Sequence, residues 1–329
     1  MSLHRSSGGT VGSGPGELIS ITPEEAGWQW AGLRVLRLEP GTPTVVRTGS
    51  SEVFVLPLSG SLQVSVALAP ADGGTGRAEA AFGLSGRTSV FTRVTDFVYA
   101  GRDSELTLMS SRGAEVALPS ARCERRLPAA YGPADTAQVE IRGAGQSTRQ
   151  VTNFGVPGIW DHAERLMACE VITPPGNWSS YPPHKHDVTA PSPAANEEIY
   201  LYRVAGPDQR TPARAGFGLH HGYTGPEHEV SGLEPFDLVA QVRDLDVVLA
   251  PYGYHGPGAA SPGYPLYALS VLAGPGPERS MDSCDDPAHA WVRETWPVTA
   301  ADPRVPFTTV VSSVGSTGAM NLGHLRDHR

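Results

Sequence analysis

Apolar and polar residues alternate with a period of two along much of the 329-residue chain, and Gly, Pro, Asn and Asp break the pattern every few residues. The pattern predicts strands in "LRVLRLEPG" (33–41), "SEVFVLPLSGSLQVSVAL" (51–68), "TSVFTRVTDFVYA" (88–100) and "SELTLMSS" (104–111). A Pro, Ala and Gly-rich connector follows at about 119–136, and then a second run of strands. These are "RLMACEVITPPG" (165–176), "NEEIYLYRVA" (196–205), "GFGLHHGYT" (216–224), "DLDVVLAPYGYH" (244–255) and "YPLYALSVLAGPG" (264–276).

The two runs read as copies of one plan. "LRVLRLEPG" matches "LMACEVITPPG", and "SSEVFVLPLSG" matches "NEEIYLYRVAG", which sets Glu52 against Glu198. The repeat is about 145 to 160 residues long, the length of a domain and not of a solenoid unit. The reading is therefore all-β: a pair of tandem jelly-roll-like barrels. Residues 1–16 are expected to be flexible, 17–135 to form the first barrel and 136–299 the second, with 300–329 an arm or tail.

Composition agrees with a globular β protein. Hydrophobic residues make up 40% and charged residues 18%, and the 38 glycines and 30 prolines favour tight turns over long helices. A formal charge of -9 without a basic run argues against nucleic acid as a partner. No stretch has the ~20 apolar residues of a membrane span, and the polar start of the chain lacks the apolar core of a signal peptide, so a cytoplasmic protein is expected. Cys123, Cys169 and Cys284 stand too far apart for a CxxC site and read as small buried hydrophobes.

The candidate chemistry gathers in "YPPHKHD" (181–187). Residues two apart on a strand share a face, so His184 and His186 can aim at one point. Glu198 on the next strand shares its face with Tyr200 and Tyr202, and His255 stands at a Gly-Pro turn. Three imidazoles and a carboxylate suit one divalent metal, zinc or manganese first, with iron, nickel and cobalt also compatible, and leave coordination positions open for substrate. The first half offers "PTVVRTGSS" and "YAGRDS" at the matching places, which lack such ligands, so the metal belongs to the second half. Lys185, the only lysine among 25 basic residues, lies between the two histidines, where it either meets substrate or braces the loop through Asp187. Tyr202 and Tyr254 are the candidate proton carriers, with barrel packing as the alternative for both. For an acidic substrate Arg149 and Arg279 are the candidate carboxylate partners, ahead of Arg203, which strand parity turns away from the metal.

HxH, Glu and His in this order over barrel strands form the cupin pattern. Together with "WSSYPPHKHD", "EEIYLYR", "VVLAPYGYHGPG", "LAGPGPER", "CDDPAHAWVRETWP", the early "LHR" and "AGWQWAGLRVLRL", the chain resembles, over about residues 1–305, a particular isomerase family. That family contains the 5-deoxy-glucuronate isomerases of myo-inositol degradation and the 5-keto-4-deoxyuronate isomerases of pectin catabolism. The resemblance implies a bicupin fold and an aldose-ketose isomerase acting on a small uronate-type sugar acid, with His184, His186, Glu198 and His255 as metal ligands. It leaves homo-oligomer formation open. "LHHGYT" (219–224) departs from the family pattern, which leaves a substrate contact by His220 or His221 in question. A cupin dioxygenase and a non-catalytic sugar-binding cupin are the rival readings of the same ligands.

Overall fold

The computed structural model describes residues 2–7, 16–68, 78–206, 208, 215–230 and 232–309. Its first sheet runs in the order 130–132, 97–100, 51–68, 114–122, 31–38, 17–21. The strand Ser51–Leu68 is long enough to serve two sheets: its second half pairs with Ala78–Arg87 and with Ser104–Met109, which in turn pairs with Thr44–Arg47. The curl encloses a hydrocarbon interior of Val46, Val53, Val55, Val64, Leu106 and Leu108.

The second barrel is built in the same way. One sheet has the order 4–5, 247–250, 197–204, 266–273, 167–173, 149–153, 138–142, and the facing sheet the order 237–242, 218–223, 254–260, 184–185, 284–285. The first sheet of the molecule ends with 130–132 and the next begins with 138–142, so the chain passes between barrels in those few residues.

The largest core lies between the barrels. Strand alternation sends Val53 and Val55 into the first barrel but Phe54, Leu56 and Leu58 outward; in the second it sends Tyr200 and Tyr202 inward and Ile199 and Leu201 outward. The two outward faces meet, with Leu33, Val35, Val247, Leu249, Leu269 and Val271, in one buried cluster. Phe54, Phe97, Phe154 and Trp160 add edge-to-face contacts at 4.9–5.7 Å. A sheet buried on both faces needs apolar residues at both parities, which is why "VFVLPL" runs apolar without interruption and "ALSVLA" is broken only by Ser270, which faces the cavity.

Polar contacts cross the same interface in reciprocal fashion. Glu52 of the first barrel is fully buried and accepts the backbone N–H groups of Glu164, Arg165 and Leu166 at 2.6–2.9 Å and the Tyr99 hydroxyl at 2.7 Å. Glu197 of the second accepts the N–H groups of Gln29, Trp30 and Ala31 at 2.7–2.8 Å. The counterpart of Glu52 is therefore Glu197, and that of Glu198 is Val53, one residue from the sequence match: Glu52 and Glu197 both lie on the interface face. Arg87 is buried against Glu170, which also accepts the Tyr267 hydroxyl at 2.7 Å, and Arg203 pairs with Glu115 at 2.9 Å and Asp244 at 2.7 Å.

Chain at both ends of the described residues packs onto the second barrel. His4–Arg5 is an edge strand on Val247–Ala250, with His4 3.2 Å from buried Asp246, so the start of the chain is partly ordered. Of 300–329, the part to residue 309 packs as an arm: Gln150 accepts the N–H groups of Phe307 and Thr308, and Thr308 is buried; the remainder lies outside the described residues. Residues 119–122, read as connector, continue the strand Ala114–Arg122. Among the described residues no helix is long and apolar enough to cross a membrane.

Candidate metal centre and its cavity

His184 and His255 face each other across the antiparallel pair 184–185/254–260, and His186 follows two residues on. Their ring nitrogens lie within 4.8 Å of one another. Gly256, next to His255, has φ +74°, and a Cβ there would meet the Ser180 carbonyl oxygen at 2.4 Å, so glycine is required for this strand to approach the histidine segment. From the opposite sheet Glu198 brings its Oε2 to 3.0 Å from His186 Nε2 and 3.1 Å from His255 Nε2, while Ser270 donates to its other oxygen. Burial would raise the Glu198 carboxyl, but the bonds to His186 and His255 outweigh it and hold the group well below the usual range. Burial and the neighbouring His255 and His186 hold His184 well below an ordinary imidazole.

The proton arrangement fits a cation. His186 Nδ1 lies 3.3 Å from the Asn196 carbonyl and His255 Nδ1 3.2 Å from the Gly253 carbonyl; a carbonyl only accepts, so both Nδ1 atoms carry the proton. With no cation between them, each Nε2 either carries a second proton toward the Glu198 oxygen 3.0 and 3.1 Å away or turns a lone pair on that anion. Two adjacent buried imidazoliums are the costly alternative; a divalent ion among these atoms satisfies every lone pair.

The cluster opens on a cavity of about 880 Å³ whose walls include His184, His186, Glu198, Tyr200, Ser270, Arg149 and Arg142. Arg149 is 5% exposed, its Nη1 donates to the Ser147 carbonyl at 3.1 Å and its guanidinium stacks on Trp296 at 5.6 Å. Among the described residues no carboxylate lies within ion-pair distance of it. Burial first, then Arg142 and Arg293, push its pKa down to about 9, the mark of a cation short of counter-charge.

The other expected residues are placed as follows. Lys185 is fully buried on the reverse face of the histidine strand, where Nζ bonds Thr189 Oγ1 and Glu227 Oε1 at 2.7 Å and lies 3.9 Å from Asp187. Tyr254 also faces that side, 5.3 Å from Lys185 Nζ and hydrogen-bonded to Glu227; neither side chain lines the cavity, because alternation that points His184 and His255 inward points their neighbours outward. Tyr202 faces the barrel interior but lies deeper, its hydroxyl 2.6 Å from His220 Nδ1, so His220 is an interior partner; His221 points outward to Asp237 at 2.9 Å. Arg279 reaches the cavity rim, yet it donates to the carbonyls of Trp160, Leu166 and Gly155. Tyr200, hydrogen-bonded to Glu198, is the tyrosine in the cavity wall. Its parity with Glu198 was legible; its depth relative to Tyr202 was not. Arg142 and the strands Gln138–Arg142 and Arg149–Asn153 escaped the sequence reading because their polar alternation is weak beside the apolar strands.

Two stacked barrels, one filled with hydrocarbon and one with a buried imidazole-carboxylate cluster, define a bicupin with one candidate metal centre. The model of the KduI/IolB family matches residues 5–292, and the chain belongs to that family. It is 34% identical over 282 residues to a 5-deoxy-glucuronate isomerase of Geobacillus kaustophilus, covering 85% of this chain and 92% of the relative. It is 31% identical over 286 residues to the enzyme of the same name from Bacillus subtilis strain 168, covering 86% and 95%. Among solved structures, an IolB-like protein of Salmonella typhimurium LT2 superimposes with TM-score 0.73 at 27% identity, over 89% of this chain and 100% of the other. The oxalate decarboxylase of Lactobacillus farciminis, at TM-score 0.59 and 11% identity over 87% and 88% of the chains, shares the fold alone.

Proposed function

We propose that the chain is a cytoplasmic, metal-dependent aldose-ketose isomerase of myo-inositol degradation that converts 5-deoxy-D-glucuronate to 5-dehydro-2-deoxy-D-gluconate. The carrying observation is the presence, in one cavity, of a ligand set that fits a divalent cation and a buried arginine that has no acid partner among the described residues. The names of the relatives, spanning most of both chains, support the same substrate. A divalent ion held by His184, His186, Glu198 and His255, zinc or manganese first, supplies a Lewis acid for the charge that develops on the carbonyl oxygen during enolisation.

The chain's own groups do the rest. Arg149 receives the substrate carboxylate in the two-pronged geometry of its guanidinium, and the Trp296 face and Ser147 carbonyl hold it ready. Isomerisation moves one proton from C2 to C1 and the hydroxyl proton from O2 to O1. Tyr200 in the cavity wall is in place to hold or pass a proton at a substrate oxygen, with Tyr202 stacked behind it at 6.2 Å. Lys185 and Tyr254 act at one remove, by bracing the loops behind the histidine strand.

The test is turnover of 5-deoxy-D-glucuronate, followed by NMR, under anaerobic conditions with metal-loaded protein and with protein shown by elemental analysis to be metal-depleted. Ketose formation without O2, lost on depletion and restored by zinc or manganese, is expected. Product that appears only with O2 makes the protein a dioxygenase, and faster turnover of 5-keto-4-deoxyuronate reassigns the substrate. Binding without turnover leaves a sugar-binding cupin.

A further inference from the structure

One wall of the cavity is hydrocarbon in a site otherwise lined largely by charged, amide and hydroxyl groups. The strand Arg149–Asn153 presents Arg149, Val151 and Asn153 to the cavity, and its neighbour Met167–Thr173 presents Cys169 and Val171. Val151 and Val171 are register partners across this antiparallel pair, close enough for direct side-chain contact. Val156, Ile159 and Cys169 pack with them into one apolar cluster.

The register orders the wall. Past the valines comes a row in which Asn153 stands opposite Cys169, Cys169 opposite Ser270 and Ser270 opposite Tyr200; beyond it lies Glu198, the carboxylate of the histidine cluster. From Arg149 toward the histidines the strands therefore present a cation, then two valines, then amide and hydroxyl groups, then the metal-type ligands. Glu140, the partner of Val151 on its other side, is absent from the cavity wall, and its oxygens are engaged by Arg142 and Asn153. A sugar acid with its carboxylate on Arg149 and its carbonyl end at the histidines lays the carbon next to the carboxylate against Val151 and Val171.

We propose that the Val151–Val171 pair sets specificity by accepting a methylene at that carbon and disfavouring a hydroxyl. The inference rests on the isomerase reading above and adds to it the reason a 5-deoxy acid is preferred to its parent hexuronate. A hydroxyl placed there gives up water without gaining a partner, and apolar walls of this kind reject an added hydroxyl by roughly 10²-fold.

The experiment compares kcat/KM for 5-deoxy-D-glucuronate and D-glucuronate in the wild type, Val151→Thr and Val171→Thr, with Val171→Ala as an apolar control. Threonine has the shape of valine and adds the missing hydroxyl, and two positions give two independent variants. Solution ring forms of the two sugars are the same for every protein, so they cancel when selectivity is compared between proteins. At least one threonine variant is expected to lose about tenfold or more in preference for the deoxy acid, through a rise in KM for it and a gain in kcat/KM on glucuronate, whereas Val171→Ala keeps the preference within about threefold. Unchanged selectivity in both threonine variants, with wild-type turnover of the deoxy acid intact, overturns this inference alone. No wild-type turnover of 5-deoxy-D-glucuronate overturns the isomerase reading and the inference together.

Discussion

The two barrels share a plan and differ in what fills them. At the inward position after the interface glutamate the first barrel has Val53 and the second Glu198; where the first packs Val46, Leu106 and Leu108, the second brings in histidines. The outward faces stayed alike, apolar with a buried glutamate at the start of a central strand. A barrel becomes a site by exchange of inward side chains alone, because pleat alternation isolates the two faces of a strand. The first barrel and the interface can then carry stability while the second interior holds polar groups that weaken a core.

The sharpest way to break this division is Glu198→Gln or His186→Ala. Either variant is expected to lower kcat/KM by about 10³-fold or more while the melting temperature of metal-free protein moves by only a few degrees, read by steady-state assay and calorimetry. A large loss of stability would mean that the cluster is part of the core. Arg87→Met probes the opposite side of the comparison. It leaves Glu170 buried without its cation and should cost about 3–5 kcal/mol in denaturant unfolding, and adding Glu170→Gln should recover part of that. Full stability in Arg87→Met would remove the buried pair from the forces that join the barrels.

A smaller effect is expected at the far end of the cavity. Arg149→Met removes charge-assisted bonds of about 1.5–3 kcal/mol, so KM should rise roughly 10- to 150-fold with kcat changed much less. An unchanged KM would place the carboxylate elsewhere. Smallest are Glu52→Gln and Glu197→Gln, each expected to destabilise by about 1–3 kcal/mol through weakened bonds to three backbone N–H groups. Similar losses support the reciprocity of the barrels; loss in one and none in the other breaks it.

Much of the second barrel was legible because period-two alternation is a local property. It predicted that His184 and His186 share a face, that Glu198 lies with Tyr200 and Tyr202 and that Arg203 turns away; for Lys185 it left a substrate contact and a brace through Asp187 both open. The single lysine fits its place: an ammonium reaches Thr189 Oγ1, the Ala190 carbonyl and Glu227 from one buried point, which a planar guanidinium would not match. Glu52 was matched one residue off because two adjacent glutamates, Glu197 and Glu198, offer two equal registers, and only the burial of each face separates them.

Sequence alone thus determined strand faces and the order of the ligand-type residues along the chain, since both follow from backbone geometry over a few residues. Depth and partnership were decided by the tertiary structure: which tyrosine reaches the cavity, which arginine lacks an acid, that His4–Arg5 joins a distant strand and that two apolar sheet faces close on each other. These depend on residues far apart in the chain meeting across a shared core, and no local pattern encodes that meeting.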